Sequence, residues 1–150
     1  MLTSKPGVAE ALDLAQIGFL TAVNPKGQPQ TTPVWFLRDG DDLIVYNQPT
    51  SPRLTSIAGN DRVAFTLRAD RKAIGLLTIE GTAAVDTALV PADQLAAYLT
   101  KYDKQIERLG WSPAKFAAGY SVGIRIKVNR MRVWDIDRVI AAERRAPRPG

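Results

Sequence analysis

Between residues 17 and 46 three strand-like runs follow one another with only tight turns between them, and a chain so arranged has to fold antiparallel. Residues 17–23 read Ile-Gly-Phe-Leu-Thr-Ala-Val, apolar on both faces, and end at Asn24-Pro25-Lys26-Gly27, a turn sequence. Residues 30–38 are rich in Thr, Val and aromatics and end at Asp39-Gly40-Asp41, a hairpin signal, after which residues 43–46 return. Parallel neighbours need a crossover of about a dozen residues, and there is no room for one. The expectation is an antiparallel meander.

Two more strands are expected at 62–67 and 76–85, bridged by the charged loop Ala69-Asp70-Arg71-Lys72. In the last strand Val122, Ile124, Ile126 and Val128 point one way and Arg125 and Lys127 the other, after which the apolar phase moves to Met131 and Val133. One extra residue near Asn129-Arg130, a β-bulge, accounts for that shift, and a bent final strand is what a closing barrel needs. Helices are expected at 6–14, where Val8, Ala11, Leu12 and Ala15 share a face, and at 53–59. The longest helix opens at Pro91 with Leu95, Tyr98, Leu99, Tyr102, Ile106 and Leu109 in a core-facing stripe. Ser112-Pro113 starts another, with Ser112 as N-cap and Pro113 at the first helical position. The architecture so read is about six mostly antiparallel strands closed into a small barrel with helical inserts.

With 150 residues the chain is one domain, read as a barrel over 1–142 and a basic, disordered tail over 143–150. It contains no Cys and no His. That removes thiolate nucleophiles, Ser-His-Asp triads, Cys/His zinc sites and imidazole-ligated haem. The net charge is +5, but the tail holds three arginines against one glutamate, so the barrel carries about +3. No zinc finger, aromatic RNA-binding strand or basic heptad accompanies that charge, so nucleic acid is not an expected partner. The longest apolar runs fall far short of the roughly 20 residues needed to cross a bilayer. No apolar segment of signal-peptide type occupies residues 1–10, and the expected location is cytoplasmic.

Two segments are candidates for chemistry. In Tyr46-Asn47-Gln48-Pro49-Thr50-Ser51-Pro52-Arg53, Ser51 and Pro52 open a helix whose first-turn N–H groups are unpaired and partially positive. Thr50 and Ser51 add hydroxyls and Arg53 adds a planar guanidinium, a combination suited to a phosphate. The same residues also read as an ordinary capped helix with an exposed arginine. In Thr31-Thr32-Pro33-Val34-Trp35-Phe36, Pro33 cannot donate to a ladder and so marks an edge or bulge where a ligand can reach backbone groups. Trp35 there either walls a flat ring or, with Phe36, is barrel core on alternate faces.

The order of these segments resembles one family. Residues 18–30 (Gly-Phe-Leu-Thr-Ala-Val-Asn-Pro-Lys-Gly-Gln-Pro-Gln), Thr32-Pro33-Val34-Trp35-Phe36, Tyr46-Asn47-Gln48-Pro49, Asn60-Asp61-Arg62-Val63-Ala64 and Glu80-Gly81-Thr82-Ala83 are similar to the split β-barrel flavin-binding proteins. These are the pyridoxamine-phosphate-oxidase-like proteins, which include reductases dependent on the deazaflavin coenzyme F420. The match runs from about residue 14 to 134. The resemblance implies a homodimer of split barrels with two cofactor sites at the subunit interface. It implies that Gln48, Thr50, Ser51 and Arg53 hold the cofactor phosphate, and that Thr32, Pro33, Val34 and Trp35 lie along the isoalloxazine or deazaflavin ring. It places Trp111 and the final strand near the partner subunit, and gives Trp134 a packing role.

The chain departs from true pyridoxamine phosphate oxidases, which bind the substrate phosphate with a C-terminal arginine and histidine. It has no histidine, so pyridoxamine phosphate is not the expected substrate. The phosphate segment offers one basic residue, Arg53, where FMN users often have several, which leans toward coenzyme F420. The acidic tail of that coenzyme would meet Arg71, Lys72, Arg125 or Lys127, unless these are only a solvated face. The activity so implied is hydride transfer between reduced F420 and a small conjugated or unsaturated substrate. An FMN-dependent oxidoreductase and a non-catalytic cofactor or anion binder remain the alternatives.

Overall fold

The computed structural model describes residues 1–71 and 74–145. Seven strands form one sheet: β1 (Gly18–Val23), β2 (Pro29–Val34), β3 (Leu37–Asp39), β4 (Asp42–Asn47), β5 (Arg62–Arg71), β6 (Ile74–Val85) and β7 (Val122–Trp134). Their order is β2-β1-β5-β6-β7-β4-β3, and every neighbouring pair is antiparallel. The two edge strands, β2 and β3, are therefore consecutive in the chain and separated only by Trp35 and Phe36. The three Cα–Cα steps from Val34 to Leu37 reach at most about 11 Å. The sheet has to curl until its edges lie side by side, and the barrel is closed by a covalent corner in place of a ladder.

This corrects the expected meander. Residues 30–38 are two strands, because the chain turns at Trp35-Phe36 and leaves β1 for the opposite edge. The count is thus seven strands where about six were expected. The turn is held by polar groups reaching in from α3 (Ala96–Arg108). The Tyr102 hydroxyl accepts from the Phe36 N–H at 2.9 Å and donates its single proton to the Gln16 carbonyl at 2.7 Å. The Phe36 carbonyl is taken by the Lys101 ammonium at 2.9 Å, which also reaches the Leu12 carbonyl at 3.0 Å. A corner that would bury unpaired backbone groups is satisfied in this way.

Strand β4 explains its own unbroken apolar sequence by being buried on both faces. Leu43 and Val45 join the barrel core with Leu20, Phe36, Phe65, Leu77, Ile79, Ile124 and Ile126. Ile44 and Tyr46 point outward into a second cluster with Tyr98, Tyr102, Ile106 and Phe116, supplied by α3 and α4 (Pro113–Gly119). The stripe in the long helix is therefore real, with two corrections. A single 3₁₀ turn over Ala92–Gln94 precedes the helix, which begins at Ala96 and not at Pro91. Leu109 falls beyond its end and is half exposed. The remaining helices are α1 (Val8–Leu14), α2 (Pro52–Gly59) and α5 (Ile136–Arg145). Helix α5 lies outside the elements expected from sequence. It takes in residues 143–145 of the expected tail, whereas residues 146–150 lie outside the described residues.

The expected bulge is present. Glu80 opposes Arg130 and Gly81 opposes Val128, so Asn129 is the extra residue. The backbones approach so closely there that a Cβ on Gly81 would sit 2.5 Å from the Lys127 carbonyl oxygen. Since backbone atoms have to move to admit it, Gly81→Ala is expected to lower the unfolding free energy by about 1–3 kcal/mol, read by urea titration. A second prediction concerns Lys101, whose pKa burial lowers from 10.5 to about 8, against the weaker opposing pull of Asp13. The folded chain gives up this proton at lower pH than the unfolded chain, so the Lys101 contribution to stability rises as pH climbs from about 8 toward 10.5. Urea titrations at pH 7.5 and 9.5 are expected to show a gain for the native chain relative to Lys101→Met.

Candidate functional site

A cavity of about 490 Å³ opens where β2, β4 and the start of α2 meet α3 and α4. Pro33, Val34 and Trp35 line it from the corner and Gln48, Thr50, Ser51 and Arg53 from the α2 entry, so seven of the eight sequence candidates border one space. The eighth, Thr32, stands beside them: its hydroxyl oxygen accepts from the Arg53 guanidinium at 2.6 Å. Both segments named from the sequence are thus brought together across a chain separation of about twenty residues. They meet because β1 and β2 bring one to the sheet edge while β4 delivers the other through its final residue, Asn47.

Arg53 is the electrostatic centre of this end. Its other nitrogen donates to Asn47 Oδ1 at 2.5 Å. Asn47, itself buried, donates from Nδ2 to the carbonyls of Val45 and Val122, each at 3.0 Å, which clamps the ends of β4 and β7. The guanidinium is aimed by neutral acceptors only, and burial lowers its pKa. No carboxylate pairs with Arg53 among the described residues, and none lines the cavity. An arginine remains charged at any ordinary pH, so this end holds an uncompensated cation. Ser51 occupies the N-cap position of α2 with extended backbone, but its hydroxyl makes no capping bond, and Pro52 takes the first helical position. The contrast with Ser112 is direct, since that hydroxyl accepts from the Lys115 N–H at 3.1 Å, as the sequence implied. Ser51 keeps its hydroxyl free beside the positive end of a helix.

The lining contributed by Trp35, α3 and α4 is aromatic. Trp35 stacks between Tyr102, with ring centroids 4.8 Å apart and planes 6° from parallel, and Phe116, at 5.4 Å and 22°. Phe116 stacks in turn on Tyr120 at 4.7 Å. Phe36 turns the other way, into the barrel against Phe65. Only Phe36 is barrel core, which corrects the reading of both residues as core on alternate barrel faces: Trp35 packs on the helical cluster outside the barrel and lines the cavity. Sequence reasoning missed Tyr98, Leu109, Phe116 and Tyr120 as lining residues. The helical stripe marked the first two only as core, and no local pattern marked the others.

The remaining basic candidates separate. Arg125 is held by Asp86 and Asp39, each at 2.9 Å, and by Asp42 at 3.2 Å, contacts that raise its pKa. It and Lys127 border a different groove, of about 410 Å³, formed with Thr82–Thr87 positions of β6 and its following turn. Lys72 lies outside the described residues, as does the side chain of Arg71. Trp111 packs beside Tyr120, and Trp134, which is exposed, donates from Nε1 to the Thr78 hydroxyl at 3.2 Å.

This chain belongs to the pyridoxamine 5'-phosphate oxidase family, whose model matches residues 4–135. No curated protein matches it at a significant level. Among solved structures it is similar to a conserved hypothetical protein of Mycobacterium tuberculosis, with 18% identity, a TM-score of 0.71, and coverage of 100% of this chain and 92% of that one. It is similar to a protein described as an F420 reductase, with 23% identity, a TM-score of 0.64, and coverage of 85% and 98%. It is also similar to the haem storage protein HutZ of Vibrio cholerae, with 15% identity, a TM-score of 0.57, and coverage of 86% and 93%. The split barrel expected from the sequence is the fold these proteins share. No helix among the described residues is long and apolar enough to cross a membrane.

Asn47 ties the cavity to the sheet, and its loss is expected to register in both. Asn47→Ala leaves the Val122 carbonyl and one Arg53 nitrogen without their partners. Thermal unfolding of the variant is expected to report a loss of about 1–3 kcal/mol.

Proposed function

We propose that this chain binds a flavin-type cofactor in the cavity beside α2, coenzyme F420 in preference to FMN, and acts as a reductase on a small conjugated or unsaturated substrate. The observation that carries this reading is the polarity of the cavity. One part of the lining presents the unpaired Arg53 cation, the free Ser51 hydroxyl and a helix N-terminus, and another part presents stacked aromatic rings. A ligand that satisfies both parts is flat and apolar in one portion and anionic in another, and a flavin or deazaflavin phosphate has that character. The volume lies within the range of small-molecule sites, about 300–1,000 Å³.

In this reading Arg53, Thr50 and Ser51 hold the phosphate, and Thr32 and Asn47 keep the guanidinium turned toward it. Pro33, Val34 and Trp35 lie along the ring, and Gln48 borders the chain between ring and phosphate. Deazaflavin supplies hydride chemistry when bound. The residues themselves orient the ring and exclude water from one side of it. Pocket walls of ordinary apolar side chains leave the choice of acceptor to shape. The homodimer that the resemblance implies is part of the same proposal. The exposed edge strand β2, with residues 29–33 open to solvent, is the part of the site that a second copy would cover.

Arg53 is the single cation among the described residues lining the cavity, which favours F420 over FMN. An FMN-dependent oxidoreductase is the second reading, because FMN carries the same ring and phosphate. Haem, stored by one structural relative, has no imidazole or thiolate to ligate it here, since the chain contains neither His nor Cys.

Fluorescence titration with coenzyme F420 and with FMN tests the proposal. Binding of F420 at micromolar concentration or below, with FMN much weaker, is the expected result. Arg53→Ala is expected to weaken F420 binding at least about tenfold, equivalent to about 1.5 kcal/mol for a charge-assisted hydrogen bond. An unchanged dissociation constant in that variant would remove Arg53 from the phosphate site, and tighter FMN binding would favour the second reading.

A further inference from the structure

We propose that Tyr98 is a positioning residue of this cavity, donating its hydroxyl to a carbonyl oxygen or ring nitrogen of the bound heteroaromatic ligand. The proposal rests on the reading of the cavity as a flavin-type site and concerns its aromatic lining.

Tyr98 sits on the face of α3 that packs against β4, and it is 1% exposed. Its ring is fixed on three sides: edge-on to Tyr46 at 5.0 Å, tilted against Tyr102 at 5.0 Å, and stacked with Phe116 at 5.9 Å. The two neighbouring tyrosines on this wall spend their protons inside the protein. Tyr102 donates to the Gln16 carbonyl and Tyr46 donates to the Val90 carbonyl at 2.7 Å. Tyr98 has no hydrogen-bond partner among the described residues. Sealed and unpartnered, a hydroxyl costs the full desolvation of a donor, which native proteins avoid. The Tyr98 oxygen is not sealed, since Gln105 Oε1 is the one fully enclosed side-chain atom without a partner among the described residues. Of the two cavities described, Tyr98 lines the one beside α2.

The hydroxyl is therefore a held, unspent donor. Its ring has no freedom to swing to another acceptor, and burial keeps the phenol protonated by raising its pKa. A donor in an otherwise apolar wall selects ligands that present an acceptor at that point over hydrocarbons of the same shape, because a ligand without one displaces the water that would otherwise accept from it. Because Tyr98 and Arg53 line one cavity, a single ligand can engage both, its anionic group at Arg53 and an acceptor on its ring at Tyr98.

The test is Tyr98→Phe, which keeps the ring packing and removes only the donor. Coenzyme F420 and FMN are titrated against both proteins, with the absorption maximum of the bound ring and the thermal midpoint recorded for each. The expected result is binding weakened about three- to tenfold, the size of one neutral hydrogen bond. The ring absorption maximum is expected to move between the two complexes, and the thermal midpoint of the free protein to stay or rise. Equal affinity and an unmoved spectrum would overturn the role of Tyr98 while leaving the cofactor site intact. A fall in the midpoint with no spectral change would make the hydroxyl structural and overturn it equally. Absence of binding to the native chain would overturn the cofactor reading together with this one.

Discussion

The corner at Trp35-Phe36 is the constraint from which the rest of the molecule follows. A two-residue link between opposite edges of a seven-stranded sheet forces the sheet to curl. The curl brings β4 under α3 and α4, and it sets β2 beside the entry to α2. Such a corner is tolerable only because its backbone groups are met by the Tyr102 hydroxyl and the Lys101 ammonium. Both come from adjacent positions on one helix, so α3 closes the barrel as well as lining the site.

The cavity owes its two parts to two different layers of the fold. Its polar part is made by a strand terminus and a helix start, where unpaired backbone groups and a free N-cap hydroxyl are ordinary consequences of how elements begin and end. Its aromatic part is made by the second core, outside the barrel, where Trp35, Tyr98 and Phe116 pack with Tyr46, Tyr102 and Ile106. Asn47 is the residue that ties the polar part to the sheet. One amide secures the ends of β4 and β7 and aims Arg53 at once.

The identity of the neighbouring groups separates Arg53 from the cations that are paired within the fold. Arg125 is surrounded by three aspartates and Arg38 is paired with Asp13 at 2.9 Å, so the field of each is spent within the fold. Arg53 is held by an amide and a hydroxyl, which orient a charge without neutralising it. The modest net charge of the chain carried no hint of this difference. What distinguishes Arg53 is the identity of its neighbours, a property of three-dimensional proximity.

Much of the fold was legible locally. The hairpin at Asp39-Gly40-Asp41, the bulge at Asn129 and the Ser112 cap are each encoded by a few adjacent residues, so periodicity and turn chemistry find them. The two halves of the polar end were legible for the same reason, since a cap, a proline and an arginine announce a helix start. Residues 30–38 misled because a continuous run of strand-forming residues carries no mark of a change of partner; β2 and β3 differ only in which strand lies beside them. Tyr98, Phe116 and Tyr120 were equally hidden, because an aromatic residue on an amphipathic helix looks the same whether it meets core or cavity. The amino-acid sequence alone determined which segments extend, turn and cap, as these depend on nearest neighbours along the chain. Tertiary structure decided which edge each strand joins, which cation stays unpaired and which hydroxyl stays free, as these depend on contacts between residues tens of positions apart.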